Sequence, residues 1–406
     1  MVIVLFQPAK NDNSGAKSKT DLLVAAVFIV AAILIIAVVL VVVGPKVGSQ
    51  YSRHGPILVD GDSQFTRSNG VIAGSGSEGD PFVIAGWEIS RENIHGIEIR
   101  NADSHFVITN CSIHDIESDD NHLSHGVYLY NCSNATVYNV AFKNIEGDHA
   151  ISLYACDNSS VLSSSCILGG SATTGGVGIV LAFSRNITVA GNSLKNNTDG
   201  IYLHRSSDNT IENNLCEGHR GDGIYMYWES NNNTVRNNTL ANNGYGIYIA
   251  SDCRNNTITA NTINHGYHGI SLYKSHWNRI SGNTILSCGD GVSLRESDNN
   301  SMYANAIHDC PGYAIVIESG SMNLIWNCSL AGNNGATSVH DLDHIQARDD
   351  GNANHWYLST PYGNWGNCWG DWTTPDSNGD GFVDAPYDVA GSAGARDEYP
   401  LATPPF

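Results

Sequence analysis

Between Gly96 and Ile317 the chain repeats one short pattern: glycine or alanine, an apolar residue, any residue, an apolar residue. Clear copies are Gly200-Ile-Tyr-Leu203, Gly223-Ile-Tyr-Met226, Gly246-Ile-Tyr-Ile249, Gly269-Ile-Ser-Leu272, Gly291-Val-Ser-Leu294 and Ala314-Ile-Val-Ile317, spaced by 23, 23, 23, 22 and 23 residues. Earlier copies start at Gly96, Gly126, Ala150 and Gly178, with insertions stretching the gaps. The residue after each start is β-branched, and the residue two further on is aliphatic, as in Ile201 and Leu203. Alternation with period two points these side chains inward and the intervening ones outward. A second strand follows, marked by Val137, Val161, Val189, Ile211, Val235, Ile258, Ile280 and Ile325. Asn192, Asn214, Asn238, Asn261, Asn283 and Asn305 recur at the turns between strands. Asparagine suits that place because it tolerates left-handed backbone angles and its amide bonds like groups one coil above and below.

A period near 22 to 23 with no helical pattern inside it predicts a solenoid of short strands. Connections between parallel strands are right-handed. The expected fold is all-β, a right-handed parallel β-helix of about ten or more coils, each rising about 4.8 Å. Repeats fill 93–335. Residues 45–92 read as a linker and N-terminal cap, and 336–406 as a C-terminal cap holding four of the eight tryptophans.

Leu22 to Val43 is an uninterrupted apolar run of 22 residues, long enough to cross a bilayer. Lys10, Lys17 and Lys19 precede it, so residues 1–20 are expected in the cytoplasm, 21–44 as a transmembrane signal-anchor helix, and the rest outside the cell membrane. The other reading of this run is a cleaved secretory signal. The formal charge of −20 opposes nucleic-acid binding and suits solubility and cation binding. Glycosylation sequons at Asn110, Asn131, Asn134, Asn158, Asn186, Asn196, Asn232, Asn237, Asn255, Asn299 and Asn327 fit an extracellular glycoprotein, although Asn-rich turns followed by Thr generate such triplets by themselves. Cys132 and Cys156, and Cys288 and Cys310, fall at equivalent places in successive coils, within reach of disulfides; buried thiols are the alternative.

In the tail, Asp376, Asn378, Asp380 and Asp384 alternate around Gly381, the pattern of a calcium loop to which Phe382 would lend its carbonyl. Tyr387 stands where the twelfth-position glutamate would be, and Asp388, one further, is the substitute. A structural calcium ion is the expected cofactor.

Three segments carry a resemblance: Phe65-Thr-Arg-Ser-Asn-Gly-Val71 with Asp80-Pro-Phe-Val-Ile-Ala-Gly-Trp-Glu-Ile89, the Gly-Ile-Tyr-Leu and Asn-Thr-Ile repeats, and the tail from Tyr362-Gly-Asn-Trp to Asp397-Glu-Tyr-Pro-Leu401. Over about 56–406 the chain resembles the archaeal and bacterial β-helix surface proteins grouped with NosD-type, or CASH-domain, proteins. The resemblance implies a β-helix that binds or acts on carbohydrate, or, as for NosD, copper-site maturation. No Met-rich or His-x-His copper cluster is present.

Outward strand positions collect Tyr128, Tyr130, Tyr154, Tyr202, Tyr225, Tyr227, Tyr248 and Tyr273, with His204, Lys274 and Arg295. Such a stripe suits stacking against sugar rings. Aromatic residues also simply favour strand surfaces. Asp199 and Asp222, just before successive strands, form a carboxylate pair of the kind glycoside hydrolysis uses, or a pair of ordinary Asp-Gly turns. His122, His125 and His149, near Asp119, Asp120 and Asp148, are a weaker metal candidate. The leading expectation is a non-enzymatic, membrane-anchored surface protein that binds cell-surface or environmental glycans or builds the envelope, with self-assembly open to it. The alternative is an exported polysaccharide hydrolase or lyase.

Overall fold

Ile201, Ile224, Ile247 and Ile270 are parallel strand partners, one directly above another, and each is fully buried. The computed structural model of the protein describes residues 51–92, 94–117, 124–146, 149–167 and 176–406. Among them the strands form three long sheets. The first runs from Ile57–Asp60 to Ala347–Asp349 and the second from Val71–Ala73 to Leu324–Trp326, each with twelve strands. The third runs from Ser52–Arg53 to Cys368–Trp369 and has thirteen. A typical coil contributes Ile201–His204, Thr210–Glu212 and Leu215–Glu217 to the three in turn. Pairing is parallel throughout the stack, except where Val71–Ala73 meets Phe82–Ala85 antiparallel at the N-terminal end. The fold is therefore an all-β parallel solenoid.

Each inward column adds one buried apolar side chain per coil, on the order of 2 kcal/mol for an aliphatic one by area. Polar ladders close the corners. Asn192, Asn214, Asn238, Asn261, Asn283 and Asn305 form the expected ladder, the Nδ2 of each of the first five donating to the Oδ1 one coil on at 2.9–3.0 Å. A second ladder, Asn209, Asn233, Asn256, Asn278, Asn300 and Asn323, runs up the opposite corner of the second sheet.

The left-handed corners explain where the sequons fall, and the ladders complete four of them, at Asn232, Asn237, Asn255 and Asn299. All eleven sequon asparagines have positive φ. In Asn232-Asn233-Thr234 the first residue makes the left-handed corner, the second is a ladder residue and the third opens a strand. Turn geometry alone thus writes the triplet. Asn232 is exposed all the same, so the corner presents its amide to solvent.

All ten cysteines are buried free thiols. Neither expected disulfide is formed: the Cys132 and Cys156 thiols lie close enough to hydrogen-bond each other, and the four Sγ atoms also donate to backbone, Cys132 to Ile99 O at 3.3 Å, Cys156 to Leu129 O at 3.5 Å, Cys288 to Leu286 O at 3.5 Å and Cys310 to His308 O at 3.7 Å. Among the described residues no helix is long and apolar enough to cross a membrane; the expected anchor, Leu22 to Val43, lies outside them.

Candidate functional site

The outer face of the first sheet carries three parallel registers. The register before the glycine holds His95, His125, His149, Val177, Asp199, Asp222, Tyr245, His268, Asp290 and Tyr313. The tyrosines expected as one stripe divide between the other two. Tyr128, Tyr202, Tyr225 and Tyr248 share the middle register, interrupted by Ser152 and Val180. Tyr130, Tyr154, His204, Tyr227, Tyr273 and Arg295 share the outer one, interrupted by Ala182 and Ala250.

In the middle register the rings stack along the axis. Tyr202 to Tyr225 and Tyr225 to Tyr248 are both 5.1 Å between centroids, and Tyr245 lies 5.0 Å from Tyr248. Burial pushes the Tyr202 phenol up to about 12 and raises Tyr225 and Tyr248 as well, so all three keep their protons and serve as neutral hydroxyls. In the outer register Tyr273 lies between two cations, Lys274 Nζ at 5.0 Å and Arg295 Cζ at 5.4 Å from its ring.

The carboxylate pair sits beside these rings. Asp199 Oδ1 accepts the Asp222 backbone N–H at 2.6 Å, and Asp290 Oδ1 accepts the Tyr313 N–H at 2.8 Å in the same way. An aspartate in this register therefore caps the amide one coil on, which is a structural task. Burial raises the Asp199 carboxyl. Burial, and then the charge of Asp199, push Asp222 up to about 7. Close to neutrality Asp222 thus holds a proton that an ordinary carboxylate would have lost.

The histidines of the same register take up similar caps. His95 Nδ1 accepts the His125 N–H at 2.9 Å, and His149 Nδ1 accepts the Val177 N–H at 3.3 Å. Burial holds His125 down at about 2 and His149 at about 4, so both stay neutral. A neutral ring whose Nδ1 accepts an N–H carries its proton on Nε2 and has no lone pair to give a metal. Tautomer thus argues against the expected metal role of His149. Asp119, Asp120, His122 and Asp148, the other members of that candidate, lie outside the described residues.

The loop expected to bind calcium forms one wall of a cavity of about 300 Å³, lined by Asn364, Asn378, Asp380, Phe382, Val383, Asp384, Glu398 and Tyr399. Hard oxygen donors of this kind suit Ca²⁺. The Asp376 carboxylate accepts the N–H groups of Gly379, Asp380 and Gly381, and Asp384 accepts that of Ser377. Asp388 is not a member: it pairs with Arg396 at 3.0 Å, while Tyr387 is buried beneath Trp369. Glu398, itself 3.8 Å from Arg396, lines the cavity where Asp388 does not. Among the described residues no three His, Cys, Asp or Glu side chains converge as a metal centre would require, so the loop's carboxylates would have to turn from its own amides to meet an ion.

Sequence reading passed over three exposed aromatic residues at the corner leaving the first sheet and the next corner: Phe183, Trp228 and Trp277. Trp277 stands where most other coils place Asn or Asp, whereas Phe183 and Trp228 stand at a corner whose occupants range from Asn101 and Ser251 to Arg205, Lys274 and Glu296.

Two family models match the chain: right handed beta helix region over residues 95–263, and periplasmic copper-binding protein (NosD) over 226–374. Both matches, each over less than half of the chain, agree with the parallel solenoid that the three sheets form. Among solved structures it is similar to a point mutant of the periplasmic alginate epimerase AlgG, at 17% identity and TM-score 0.50, covering 67% of this chain and 75% of that one. It is also similar to a mutant tailspike protein of E. coli bacteriophage HK620, at 12% identity and TM-score 0.49, covering 69% of this chain and 61% of that one. At 17% identity the likeness to the epimerase is one of fold alone. A search of curated protein sequences finds no match.

Proposed function

We propose that this protein is an exported β-helix whose first sheet binds glycan chains along its outer face, in a surface or envelope role. The observation that carries the reading is the run Tyr202, Tyr225 and Tyr248, three neutral tyrosines stacked in consecutive coils with Tyr227 and His204 alongside. A pyranose presents an apolar face and a hydroxyl rim, and the run offers it exposed ring edges with the Tyr225 and Tyr248 hydroxyls, the Tyr202 hydroxyl being bonded to His204 at 3.4 Å. Export is supported by the periplasmic description of the NosD model and by the apolar run at Leu22 to Val43, which we read as a single-pass anchor. Affinity electrophoresis of the full chain in gels containing neutral and acidic polysaccharides tests the reading. Tyr225→Ala and Tyr248→Ala are each expected to weaken binding about tenfold.

One observation favours the second reading, an exported polysaccharide hydrolase or lyase: Asp222 keeps a proton near neutral pH beside the same rings, as a general acid must. The capping bond from Asp222 N to Asp199 weighs for the binding role. Asp222→Asn separates the two. Binding with no release of reducing ends from wild type or variant supports the first, whereas release that the substitution abolishes establishes the second.

Calcium belongs to the same proposal as a clamp on the C-terminal end. Asp380, Asp384, Asn378, the Phe382 carbonyl and Glu398 would hold it, with Asp376 shaping the loop. Thermal melts in 1 mM CaCl₂ (about the affinity range of extracellular calcium modules) are expected to exceed those in chelator by several degrees, and Asp380→Asn to remove the difference. Equal melting temperatures in wild type would contradict it.

A further inference from the structure

Tyr202, Tyr225 and Tyr248 are strand partners in three consecutive coils, with Val180 before the run in the same register and Ser271 after it. Tyr225 lies between the other two rings, 5.1 Å from each centroid and inclined to them at 30° and 11°. Tyr245 closes on Tyr248 at 5.0 Å. Rings stacked this closely spend their faces on one another, so a ligand meets their edges and hydroxyls. The Tyr202 hydroxyl is bonded to His204 Nδ1 at 3.4 Å, whereas those of Tyr225 and Tyr248 make no hydrogen bond among the described residues. Burial raises both phenols, so each keeps its proton and can donate as well as accept.

The run therefore offers a straight line of phenol edges with a step of 5.1 Å, one per coil. A ligand that uses every rung must repeat at nearly that step. Ribbon-like pyranose chains do so: with β-1,4 linkages each sugar advances the chain by roughly one coil, about 5 Å. Across three rungs the two repeats stay in step to within about 1 Å. Successive sugars of such a ribbon turn over, so neighbouring rungs meet different hydroxyl edges, and a phenol that donates or accepts can bond either. An α-1,4 chain curls instead and leaves a straight row after one or two sugars.

We propose that the row of Tyr202, Tyr225 and Tyr248 binds an extended, β-1,4-linked neutral polysaccharide lying parallel to the solenoid axis, one sugar per coil. This rests on the glycan-binding reading and names the class of chain. Neutrality follows from charge. Asp199 and Asp222 stand on one flank of the row, and on the other Arg205 is engaged by Glu229 at 3.8 Å and by the Trp228 ring at 4.6 Å. With −20 on the protein overall, a polyanion is repelled here.

The test is calorimetric titration of the full chain with oligosaccharides matched in length. The set is β-1,4-linked glucose, mannose, xylose and N-acetylglucosamine, α-1,4-linked glucose, and β-1,4-linked mannuronate as the acidic member. For at least one neutral β-1,4 series, affinity is expected to rise with each sugar up to three and then level. Its hexamer is expected to bind at least about tenfold tighter than the α-1,4 glucose hexamer. Tyr225→Phe keeps the ring and its stacking, and is expected to weaken that hexamer about fivefold, the worth of one neutral hydrogen bond, with an unchanged melting temperature. Tyr202→Phe, whose hydroxyl is already bonded, is expected to change it less than about twofold. A tyrosine that only packs the face would not register the loss of its hydroxyl. Equal binding of the α-1,4 hexamer, or affinity that does not grow with length, would overturn the extended-chain assignment and leave the glycan face intact. So would binding of some other polysaccharide with none of the β-1,4 series. Mannuronate bound as tightly as the neutral series would overturn neutrality. No binding of any polysaccharide by wild type would overturn both readings.

Discussion

Replacing Asn261 with leucine is expected to cost about 4 kcal/mol of stability, summed from buried groups left without partners at about 1–3 kcal/mol each. The Asn261 side chain is fully used. Its Oδ1 accepts from Asn238 N and Asn238 Nδ2, both at 3.0 Å, and its Nδ2 donates to Val235 O and Asn283 Oδ1, both at 3.0 Å. Leucine has similar bulk, so packing barely changes and the loss is almost all hydrogen bonding. Because each rung bonds both neighbours, the damage spreads to the coils on either side, and stability in a solenoid is a sum over such nearest-neighbour terms. Urea unfolding read with hydrogen exchange at residues 235–285 checks it. A change within about 0.5 kcal/mol, as for an ordinary surface substitution, would show that the ladder decorates the fold and does not hold it.

The glycine before each inward isoleucine gives a second large effect. At Gly223 an added Cβ would lie 2.6 Å from Gly246 O, 2.9 Å from Asn243 Nδ2 and 3.2 Å from Leu240 Cδ2. The nearest obstacle is backbone of the next coil, which cannot swing aside as a side chain can. Gly223→Val is expected to destabilise by about 3 kcal/mol or more, the upper end of overpacking costs. Gly79 provides the control, since nothing lies within 4 Å of its added Cβ. Gly79→Val should fall within about 0.5 kcal/mol of wild type. Similar losses at both positions, measured by denaturant melts, would mean that the close approach of coils does not decide the repeat's glycine.

The inward columns were legible because they combine two strong signals, a fixed spacing and strict alternation, and Ile201 through Ile270 could be aligned by eye. The third strand of each coil was not. Leu215–Glu217 or Thr239–Ala241 buries a single side chain, Cys216 or Leu240, and one residue shows no period. The second asparagine ladder hid for a related reason: Asn233 and Asn256 sit beside the corner residues Asn232 and Asn255, and adjacent asparagines do not declare which turns inward.

At the site, the sequence placed Tyr202, Tyr225 and Tyr248 correctly on one outer face. It merged two registers because period-two alternation assigns a face, not a column. It also read Asp199 and Asp222 as neighbours without seeing that the first caps the amide of the second, since a side chain bonding the coil above leaves no mark on local sequence. Phe183 and Trp228 left no mark either, because the corner they occupy takes residues as different as Ser251, Lys274 and Glu296.

Hydroxyl-radical footprinting of the full chain, with and without a neutral polysaccharide that it binds, tests the glycan face most directly. Protection is expected at Tyr154, His204, Tyr227 and Trp228 and at the exposed edges of Tyr225 and Tyr248. Tyr303 and Trp326, stacked 4.6 Å apart on the outer face of the second sheet, are expected to stay as reactive as in the free protein. Protection of Tyr303 and Trp326 with the first sheet unchanged would contradict the account.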